Sequence, residues 1–336
     1  MGAEISLMSK KWTFRLALAL PLVMGAMLLL RIPSFHSLPH PAKDFEQARV
    51  LFENLRRTES ILPLSPEGAS RMLDHGTKTP RAFVLLHGIT NCPEQFLSLA
   101  RILHAQGANI IIPRARYAGF ADVLNSVQGK QSGQDLLDQA SVGLDIAAGL
   151  GDRVSLVCLS GSAVAGTWMT QHRDGVDDML LLAPFFSLDG VPLPLNDAVA
   201  AVLSVIPNFY LWWDSEKKET LSGPKYAYPR FGTRCIASTM QVSRNVRKNL
   251  FELPMRIRKI HFLITATDDA TNNPLTQKIA ATLSKSNPTS VTIEEFPAKL
   301  KIPHDMVDPS QPNANTEIVY KKILELLDMN GPSKAD

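Results

Sequence analysis

A regular alternation of short apolar runs with longer amphipathic runs is the feature that most constrains the fold of this chain. The apolar runs predict strands at residues 82–86, 109–112, 154–158, 179–183, 260–265 and 290–296. Runs of helical periodicity predict helices at residues 44–58, 93–106, 136–150, 161–171, 275–284 and 316–327. Apolar strands separated by amphipathic helices are typical of a parallel sheet covered on both faces. We therefore predict an α/β fold with a doubly wound, mostly parallel sheet.

The first 32 residues carry a separate apolar segment. Two lysines and Arg15 precede an apolar run at residues 16–30. With its flanks this run is long enough to cross a bilayer, so we predict a signal-anchor or transmembrane helix at residues 1–32. Positive charges ahead of the run predict that the folded domain lies on the non-cytoplasmic side, facing the periplasm if the chain is bacterial. Secretion after signal cleavage remains the alternative.

The rest of the chain divides into a short linker and one large domain. Residues 33–43 are a proline-rich linker, and residues 44–336 are long enough for a single α/β domain. The alternation stops between residues 186 and 258, a stretch too long for a simple crossover, which predicts a cap insertion above the sheet. Trp212 and Trp213 of this insertion are candidates for substrate binding, or else they form part of its own small core.

Charge and cysteine content exclude several classes of function. The formal net charge is only +3, and no basic cluster alternates with aromatic residues, so no nucleic-acid partner is predicted. Cys92, Cys158 and Cys235 lack the spacing of a metal site, and we predict neither a metal nor a cofactor. Free buried thiols are expected, although a Cys92–Cys158 bridge and the oligomeric state remain open.

The apolar run at residues 154–158 ends at a serine that is flanked by small residues. Ser160 has Cys158 two positions before it and Ser162 two positions after it, and a helix follows. This small-x-Ser-x-small pattern is a loose form of the nucleophile elbow, a strained turn that exposes one serine hydroxyl above a sheet. Ser160 is therefore the candidate nucleophile. Ser162 is the weaker rival, because β-branched Val164 would crowd a turn centred on it.

A serine nucleophile needs a base to accept its proton and a carboxylate to orient that base. His304 follows the last predicted strand, in a loop that returns to the carboxyl ends of the parallel strands. Asp268 and Asp269 follow the strand at residues 260–265 and lie at the same edge. We prefer Asp269 as the acid because it lies further beyond the strand, and Asp268 is the fallback. His304 is the candidate base.

The turn after the first clear strand is a candidate oxyanion site. His87 and Gly88 end that strand and Ile89 follows them. The backbone N–H groups of Ile89 and Gly161 are predicted to face the carbonyl oxygen of a substrate. His87 and Gly88 are supporting residues, and His87 is expected to brace the loop rather than act as the base.

With these residues together, the chain resembles the α/β-hydrolase superfamily, and within it the bacterial carboxylesterase and monoacylglycerol-lipase-like group. The resemblance spans about residues 81–327 and rests on residues 87–93, Pro113-Arg114, the turn at Ser160, residues 182–184 and residues 303–305. The order Ser, Asp, His is that of the superfamily. The chain departs from the group at Ala118, where a histidine is usual, and at the elbow, where glycines are usual. The resemblance implies cofactor-free hydrolysis of carboxylic esters.

The sequence therefore predicts a serine hydrolase that cleaves small-molecule or lipid esters through an acyl-enzyme intermediate. A serine peptidase or amidase would use the same residues, but it would need an acidic or polar group in the cap to meet a substrate amine. A non-catalytic binding protein on the same fold is the third possibility, although such proteins normally lack one of the three groups.

Overall fold

A parallel sheet forms the centre of the chain, as a computed structural model shows. The structure describes residues 33–214, 218, 223–250, 257–286 and 290–329. Within them the strands are β1 (Arg71–Leu73), β2 (Thr79–Leu86), β3 (Asn109–Ile112), β4 (Gly151–Leu159), β5 (Asp178–Leu182), β6 (Tyr210–Trp212), β7 (Arg230–Gly232), β8 (Lys259–Thr265) and β9 (Ser290–Phe296). Seven of these strands form one sheet in the order β1-β3-β2-β4-β5-β8-β9, and only β1 is antiparallel to its neighbour.

Helices cover both faces of this sheet. They are α1 (Phe45–Glu59), α2 (Leu97–Ala105), α3 (Gly133–Leu150), α4 (Gly161–His172), α5 (Leu193–Val205), α6 (Thr233–Asn249), α7 (Asn273–Ser286) and α8 (Thr316–Leu326). Side chains of β2 alternate between two buried cores: Val84 and Leu86 face one, and Phe83 and Leu85 face the other. The first core includes residues of α1, α3, α4, α6 and α7, and the second includes residues of α2 and α8. The predicted doubly wound, mostly parallel α/β fold is confirmed.

Outside the cap insertion, one element that the sequence interpretation missed is the edge strand β1. Its three residues pair antiparallel with β3, and each of them is half-buried. A run of three residues is too short to show the alternation that identifies a strand, so this pairing carries no signal in the sequence.

The cap insertion at residues 186–258 divides into two parts. Its last helix, α6, packs into the first core through Cys235, Met240 and Val242, so it belongs to the helical layer on the sheet. The antiparallel pair β6-β7 and the described residues around it form the part above the carboxyl ends of the strands. We call the described residues of this part, 206–214, 218 and 223–232, the cap arm. The part of the insertion above the sheet is thus shorter than the sequence interpretation proposed.

The predicted linker lies against the domain. Asn245 Nδ2 donates to the Pro33 carbonyl oxygen at 3.2 Å, and the Ala42 N–H donates to the Asp145 carbonyl oxygen at 2.8 Å. The predicted membrane segment at residues 1–32 lies outside the described residues. Among the residues that are described, no helix combines the length and the apolar character needed to span a bilayer.

Candidate active site

Loops from the carboxyl ends of β2, β4, β8 and β9 converge on one cavity of about 570 Å³. The cap arm forms its opposite wall. Among the residues that line it are Ile89, Ser160, Trp212, Trp213, Asp269, His304 and Asp305. The structure therefore brings the candidate nucleophile, the candidate base and the two tryptophans of the cap insertion to a single cavity.

Ser160 lies on a strained turn between β4 and α4. Its backbone has φ 59° and ψ −120°, outside the regions that side-chain-bearing residues normally adopt. Such a conformation costs about 1–3 kcal/mol, and it persists only where the surroundings hold it. Here the Ser160 N–H donates to the Leu182 carbonyl oxygen at 2.9 Å, and the Ser160 carbonyl accepts from the N–H groups of Ala163 and Phe185, each at 3.1 Å. The Ser160 hydroxyl does not cap α4.

Ser162 has a different environment. It is buried, and its hydroxyl bonds to the carbonyl oxygens of Leu86 at 2.7 Å and Leu159 at 2.8 Å. The Leu159 N–H also lies 3.1 Å from the same oxygen. A hydroxyl held in this way ties the end of β4 to β2 and has no access to a substrate.

Asp268, and not Asp269, contacts the imidazole of His304. The distance from His304 Nδ1 to Asp268 Oδ2 is 2.7 Å, and the Asp268 side chain is wholly buried. Asp268 Oδ1 also accepts from the Ala270 N–H at 2.9 Å, and Oδ2 accepts from the Thr271 hydroxyl at 2.9 Å. Asp269 is exposed and lines the cavity. The preference for Asp269 is therefore corrected.

The physical reason for this correction is the tightness of the turn after β8. The Asp268 N–H donates to the Thr265 carbonyl at 3.2 Å, so the chain reverses immediately after the strand. The following backbone then wraps around the Asp268 carboxylate, as in other aspartate-centred turns. This arrangement directs Asp268 inward to His304 and Asp269 outward to the cavity.

His304 and Asp268 shift each other's pKa values. Burial alone lowers the pKa of His304, but the charge of Asp268 and the hydrogen bond to it outweigh burial and raise that pKa to about 9. Burial raises the pKa of Asp268, and the charge and hydrogen bond of His304 outweigh it, so that this pKa lies below its usual value. The imidazolium form of His304 is thus stabilised, as a base that accepts a proton during a reaction requires.

Ile89 and Gly161 lie side by side next to Ser160. A Cβ placed on Gly161 would be 2.5 Å from Ile89 Cγ2, so any larger residue at this position would have to displace the Ile89 side chain. The loop that carries Ile89 is braced on both sides. The Gly88 N–H donates to Gln95 Oε1 at 2.8 Å, and Gln128 Nε2 donates to the Ile89 carbonyl oxygen at 3.2 Å.

His87 is a brace for the same loop. Its Nε2 accepts from the Ala115 N–H at 3.1 Å, which leaves Nδ1 protonated to donate to the Gly88 carbonyl at 2.8 Å. Burial lowers the pKa of His87 to about 4, so the ring stays neutral. A buried, neutral ring with both nitrogens engaged holds backbone in place and has no role as a base.

Trp212 and Trp213 both line the cavity from the cap arm. Trp213 Nε1 donates to Thr90 Oγ1 at 3.1 Å, and its ring centroid lies 4.3 Å from that of Phe231. Tyr228 also lines the cavity, and its N–H donates to the Thr90 carbonyl at 2.8 Å. The sequence interpretation noted Tyr228 among the aromatic residues of the insertion but did not single it out, because nothing in the sequence shows which of them meets the loop after β2.

All three cysteines are buried free thiols, so no bridge joins Cys92 and Cys158. Burial raises the pKa of Cys92 and of Cys235 to about 12. Thiols with such pKa values are protonated at neutral pH and unreactive. Cys158 packs beneath the helix that follows Ser160, where a Cβ on Gly166 would lie 2.5 Å from its Sγ.

Comparisons with known proteins identify the fold. No protein-family model matches the sequence, and no curated protein matches it either. The structure is similar to that of the monoacylglycerol lipase of Paleococcus ferrophilus (TM-score 0.58, 17% identity, covering 78% of this chain and 98% of that one). It is also similar to a soluble variant of monoglyceride lipase from Saccharomyces cerevisiae (TM-score 0.57, 14% identity, 77% of this chain and 90% of that one).

A third similar structure comes from work on the metagenome-derived lipolytic enzymes LipS and LipT (TM-score 0.58, 12% identity, 79% of this chain and 99% of that one). At these identities the likeness concerns the fold. The chain has the α/β-hydrolase fold, as the motifs in its sequence predicted.

Proposed function

We propose that this protein is a serine hydrolase that cleaves carboxylic esters through an acyl-enzyme intermediate. The observation that carries the proposal is the geometry of three side chains. Ser160 lies on a strained turn and lines the cavity that His304 also lines, and Asp268 is hydrogen-bonded to Nδ1 of the His304 ring. A nucleophile, a base and an orienting carboxylate in this relation are the parts that acyl transfer by serine requires.

The proposed reaction has two steps. In the first, Ser160 Oγ attacks the ester carbonyl while His304 Nε2 accepts the hydroxyl proton, and Asp268 stabilises the imidazolium through Nδ1. His304 then gives that proton to the departing alcohol, which leaves an acyl-serine. In the second step His304 takes a proton from water, the hydroxide attacks the acyl carbon, and Ser160 recovers its proton as the acid is released.

The negative oxygen that develops in both steps needs donors. The N–H groups of Ile89 and Gly161 are the proposed donors, since the two residues lie in contact beside Ser160. Loss of one such donor costs about 3–4 kcal/mol of transition-state stabilisation in comparable enzymes. The bracing of this loop by His87, Gln95 and Gln128 thus supports the reaction, because it fixes the donors before the substrate arrives.

Esters with an apolar part are the proposed substrates. The cavity wall includes Ile89, Val123, Trp212, Trp213 and Tyr228, which together present mostly apolar surface to a substrate. The similar structures described above are those of lipolytic enzymes and monoacylglycerol lipases, which supports this substrate class.

The test is covalent labelling by a fluorophosphonate probe, combined with hydrolysis of short p-nitrophenyl esters. We expect labelling and hydrolysis by the unaltered protein and neither by Ser160→Ala. Ser162→Ala is the matched control, because it removes a hydroxyl two residues away that supports the turn, and it should retain labelling. Labelling of Ser160→Ala that disappears in Ser162→Ala would assign the nucleophile to Ser162, and absence of labelling in the unaltered protein would favour a binding protein.

A peptidase or amidase is the second candidate, and one feature of the cavity favours it. Asp214 of the cap arm lines the cavity, together with Asp269 on the opposite side. Carboxylates in these positions are suited to meet the amine of an aminoacyl substrate. A panel of aminoacyl amides beside esters of rising acyl length separates the two activities by their kcat/KM values. Faster turnover of the amides would replace the ester proposal.

We also propose that residues 16–30 anchor the protein in a membrane, with the hydrolase domain on the non-cytoplasmic side. The support comes from the basic residues ahead of this apolar run. The mass of the mature protein and the membrane fraction after alkaline extraction test the proposal. A mature chain that lacks these residues would show secretion after cleavage instead.

A further inference from the structure

A buried ion pair joins the end of α1 to the loop that follows β3. Glu59 is the last residue of α1, and its side chain is only 2% exposed, while that of Arg114 in the loop is 6% exposed. Arg114 Nε donates to Glu59 Oε1 at 3.2 Å. A carboxylate is unfavourable in the interior and also at the C-terminus of a helix, so α1 itself does not stabilise this group. Its partners outside the helix do.

Donors from three residues surround the Glu59 carboxylate. Besides Arg114, the Ser70 hydroxyl donates to Oε1 at 2.6 Å and the Ser70 N–H donates to Oε2 at 2.9 Å. Arg56 Nη1 donates to Oε2 at 3.2 Å. The Ser70 hydroxyl also accepts the backbone N–H of Arg114 at 2.8 Å. Both the backbone and the side chain of Arg114 are therefore held in this cluster.

The guanidinium of Arg114 also holds the loop after β3. Its Nη1 donates to the carbonyl oxygens of Ala115 at 3.0 Å, Arg116 at 2.7 Å and Ala118 at 3.1 Å. A planar guanidinium presents several donors in a fixed geometry, whereas the ammonium of a lysine is a point charge on a flexible stem. Arg114 therefore sets the shape of residues 114–118.

This loop supports the candidate oxyanion site through His87. The Ala115 N–H donates to His87 Nε2 at 3.1 Å, and His87 Nδ1 donates to the Gly88 carbonyl oxygen at 2.8 Å. Two hydrogen bonds thus lead from the residue after Arg114 to the residue before Ile89. A change in the shape of the loop would displace the acceptor nitrogen of His87 or remove its donor.

The cap arm contacts the same loop through Tyr228. The Tyr228 hydroxyl donates to the Tyr117 carbonyl oxygen at 2.9 Å and accepts the Phe120 N–H at 3.3 Å. The Tyr228 N–H donates to the carbonyl oxygen of Thr90, the residue after Ile89. The loop after β3 is therefore connected to the oxyanion loop on both sides of Ile89.

We infer that Arg114, held by Glu59, is a positioning residue for the oxyanion loop: it fixes the loop after β3, and His87 transmits that position to Ile89. The inference rests on the proposed function for its kinetic consequence, while the hydrogen bonds from Glu59 to Gly88 belong to the fold. Neither Glu59 nor Arg114 lines the cavity, so neither contacts the substrate. The effect comes through geometry, because a misplacement of about 1 Å can cost about 10²-fold in rate.

The test measures Arg114→Met in the full-length protein. We expect kcat for p-nitrophenyl acetate to fall by about 10- to 100-fold with little change in KM, since displaced N–H groups of Ile89 and Gly161 fail the oxyanion and not the bound ester. The affinity for phenylboronic acid, which forms a tetrahedral adduct with a nucleophilic serine, should fall by a similar factor. The free energy of unfolding is measured alongside, because the buried Glu59 loses its partner.

Arg173→Met is the matched control. Arg173 is also 6% exposed and donates to buried Asp145 at 2.9 Å, but it lies at the opposite end of α4 from Ser160. Its loss should lower the free energy of unfolding and leave kcat unchanged.

Two further variants separate positioning from stability. Arg114→Lys keeps a positive charge beside Glu59 but cannot hold three carbonyl oxygens in one plane, so it should recover more of the free energy of unfolding than of kcat. Glu59→Gln removes the charge and keeps an acceptor for Ser70, and it should lower kcat in the same direction by less. These two variants decide the question if Arg114→Met does not fold.

A purely structural role for Arg114 predicts that kcat does not fall in the folded variants or recovers together with stability. Unchanged kcat in folded Arg114→Met would therefore overturn the inference, as would full recovery of both quantities in Arg114→Lys. An equal loss of kcat in Arg173→Met would overturn it too. If only Arg114→Lys and Glu59→Gln fold, unchanged kcat in both would have the same meaning.

A measurement on His87 separates this inference from the proposed function. The ¹⁵N signals of the His87 ring, identified by their absence in His87→Gln, report the tautomer and the hydrogen bonds of its two nitrogens. Arg114→Met should shift these signals, and Arg173→Met should not. Unchanged His87 signals in Arg114→Met would show that Arg114 does not hold the loop, whereas failure of the fluorophosphonate probe to label the unaltered protein would contradict the proposed function alone.

Discussion

The carboxyl edge of the sheet and the cap above it are built in opposite ways. At the edge, the supporting side chains of His87, Gln95, Ser162 and Asp268 are buried and hydrogen-bonded to backbone or to each other. In α5 and the cap arm, by contrast, six large apolar side chains are between 44% and 56% exposed: Leu195, Val202, Val205, Phe209, Leu211 and Trp213. Side chains at the edge are thus held in place before a substrate binds, whereas the cap exposes apolar surface.

Polar contacts connect the two regions where the structure describes both. Trp213 and Tyr228 bond to Thr90, and the Tyr226 hydroxyl donates to Asp308 Oδ1 at 2.7 Å. Polar contacts of this kind fix orientation while they bury little apolar area. We conclude that substitutions at the edge should change the rate of the chemical step, while substitutions in the cap should change which substrate is used.

The largest effect is expected from the carboxylate behind His304. Asp268→Asn should reduce kcat by about 10³- to 10⁴-fold, because the buried amide can no longer stabilise the imidazolium that forms when Ser160 loses its proton. The measurement is kcat for a p-nitrophenyl ester across the pH range, with circular dichroism to verify the fold. The same variant should also lower the pKa of His304, since Asp268 is what raises it.

Asp269→Asn is the control for this comparison at the next position. Its carboxylate is exposed, so it acts on His304 only through a screened charge, and kcat should change by no more than about threefold. A loss of several hundred-fold in Asp269→Asn, with Asp268→Asn near the unaltered rate, would reverse the assignment that the hydrogen bond indicates.

Much of the edge could be predicted because its parts are local in sequence. The end of an apolar strand, a small-residue turn and the start of a helix identify Ser160 within ten residues, and the His-Gly turn identifies Ile89 in the same way. Local motifs of this kind do not show which of Asp268 and Asp269 contacts His304. One hydrogen bond, from the Asp268 N–H to the Thr265 carbonyl, decides which of two adjacent carboxylates points inward.

The contacts of the cap arm were harder to predict because their partners are distant in sequence. Trp213 meets Thr90 across 123 positions, and Gln128 meets Gly232 across 104. A single sequence contains no information on such pairs. The position of α6 in the helical layer also follows from packing against α4, where Asn245 accepts from Trp168 Nε1 at 2.9 Å, and not from any change in composition.

A smaller effect, and one on substrate choice, is expected from the cap arm. Trp213→Ala should lower kcat/KM for esters with apolar acyl chains by about 5- to 30-fold, which corresponds to about 1–2 kcal/mol of lost aromatic contact. The loss should appear mainly in KM and should be smaller for acetyl esters. Initial rates over a series of acyl lengths provide the measurement.

Two variants control this result. Trp213→Phe keeps a ring in the cavity wall but loses the bond to Thr90, so it should retain most of the preference for apolar chains. Val202→Ala removes an equally exposed apolar group of α5 that does not line the cavity, and it should leave kcat/KM unchanged. Equal losses in Trp213→Ala for all acyl lengths would show that the cap arm supports the edge and does not select the substrate.

The smallest effect concerns the strain that the edge holds at the nucleophile. Ser160 has a φ of 59° with ψ −120°, a backbone conformation that glycine adopts freely and other residues do not. The free energy of unfolding should therefore be about 1 kcal/mol higher for Ser160→Gly than for Ser160→Ala, although both variants are inactive. Denaturant unfolding of the two variants provides the comparison, and Ala163→Gly in the next helical turn should be destabilised instead. Equal free energies of unfolding for Ser160→Gly and Ser160→Ala would show that the turn at Ser160 stores no strain.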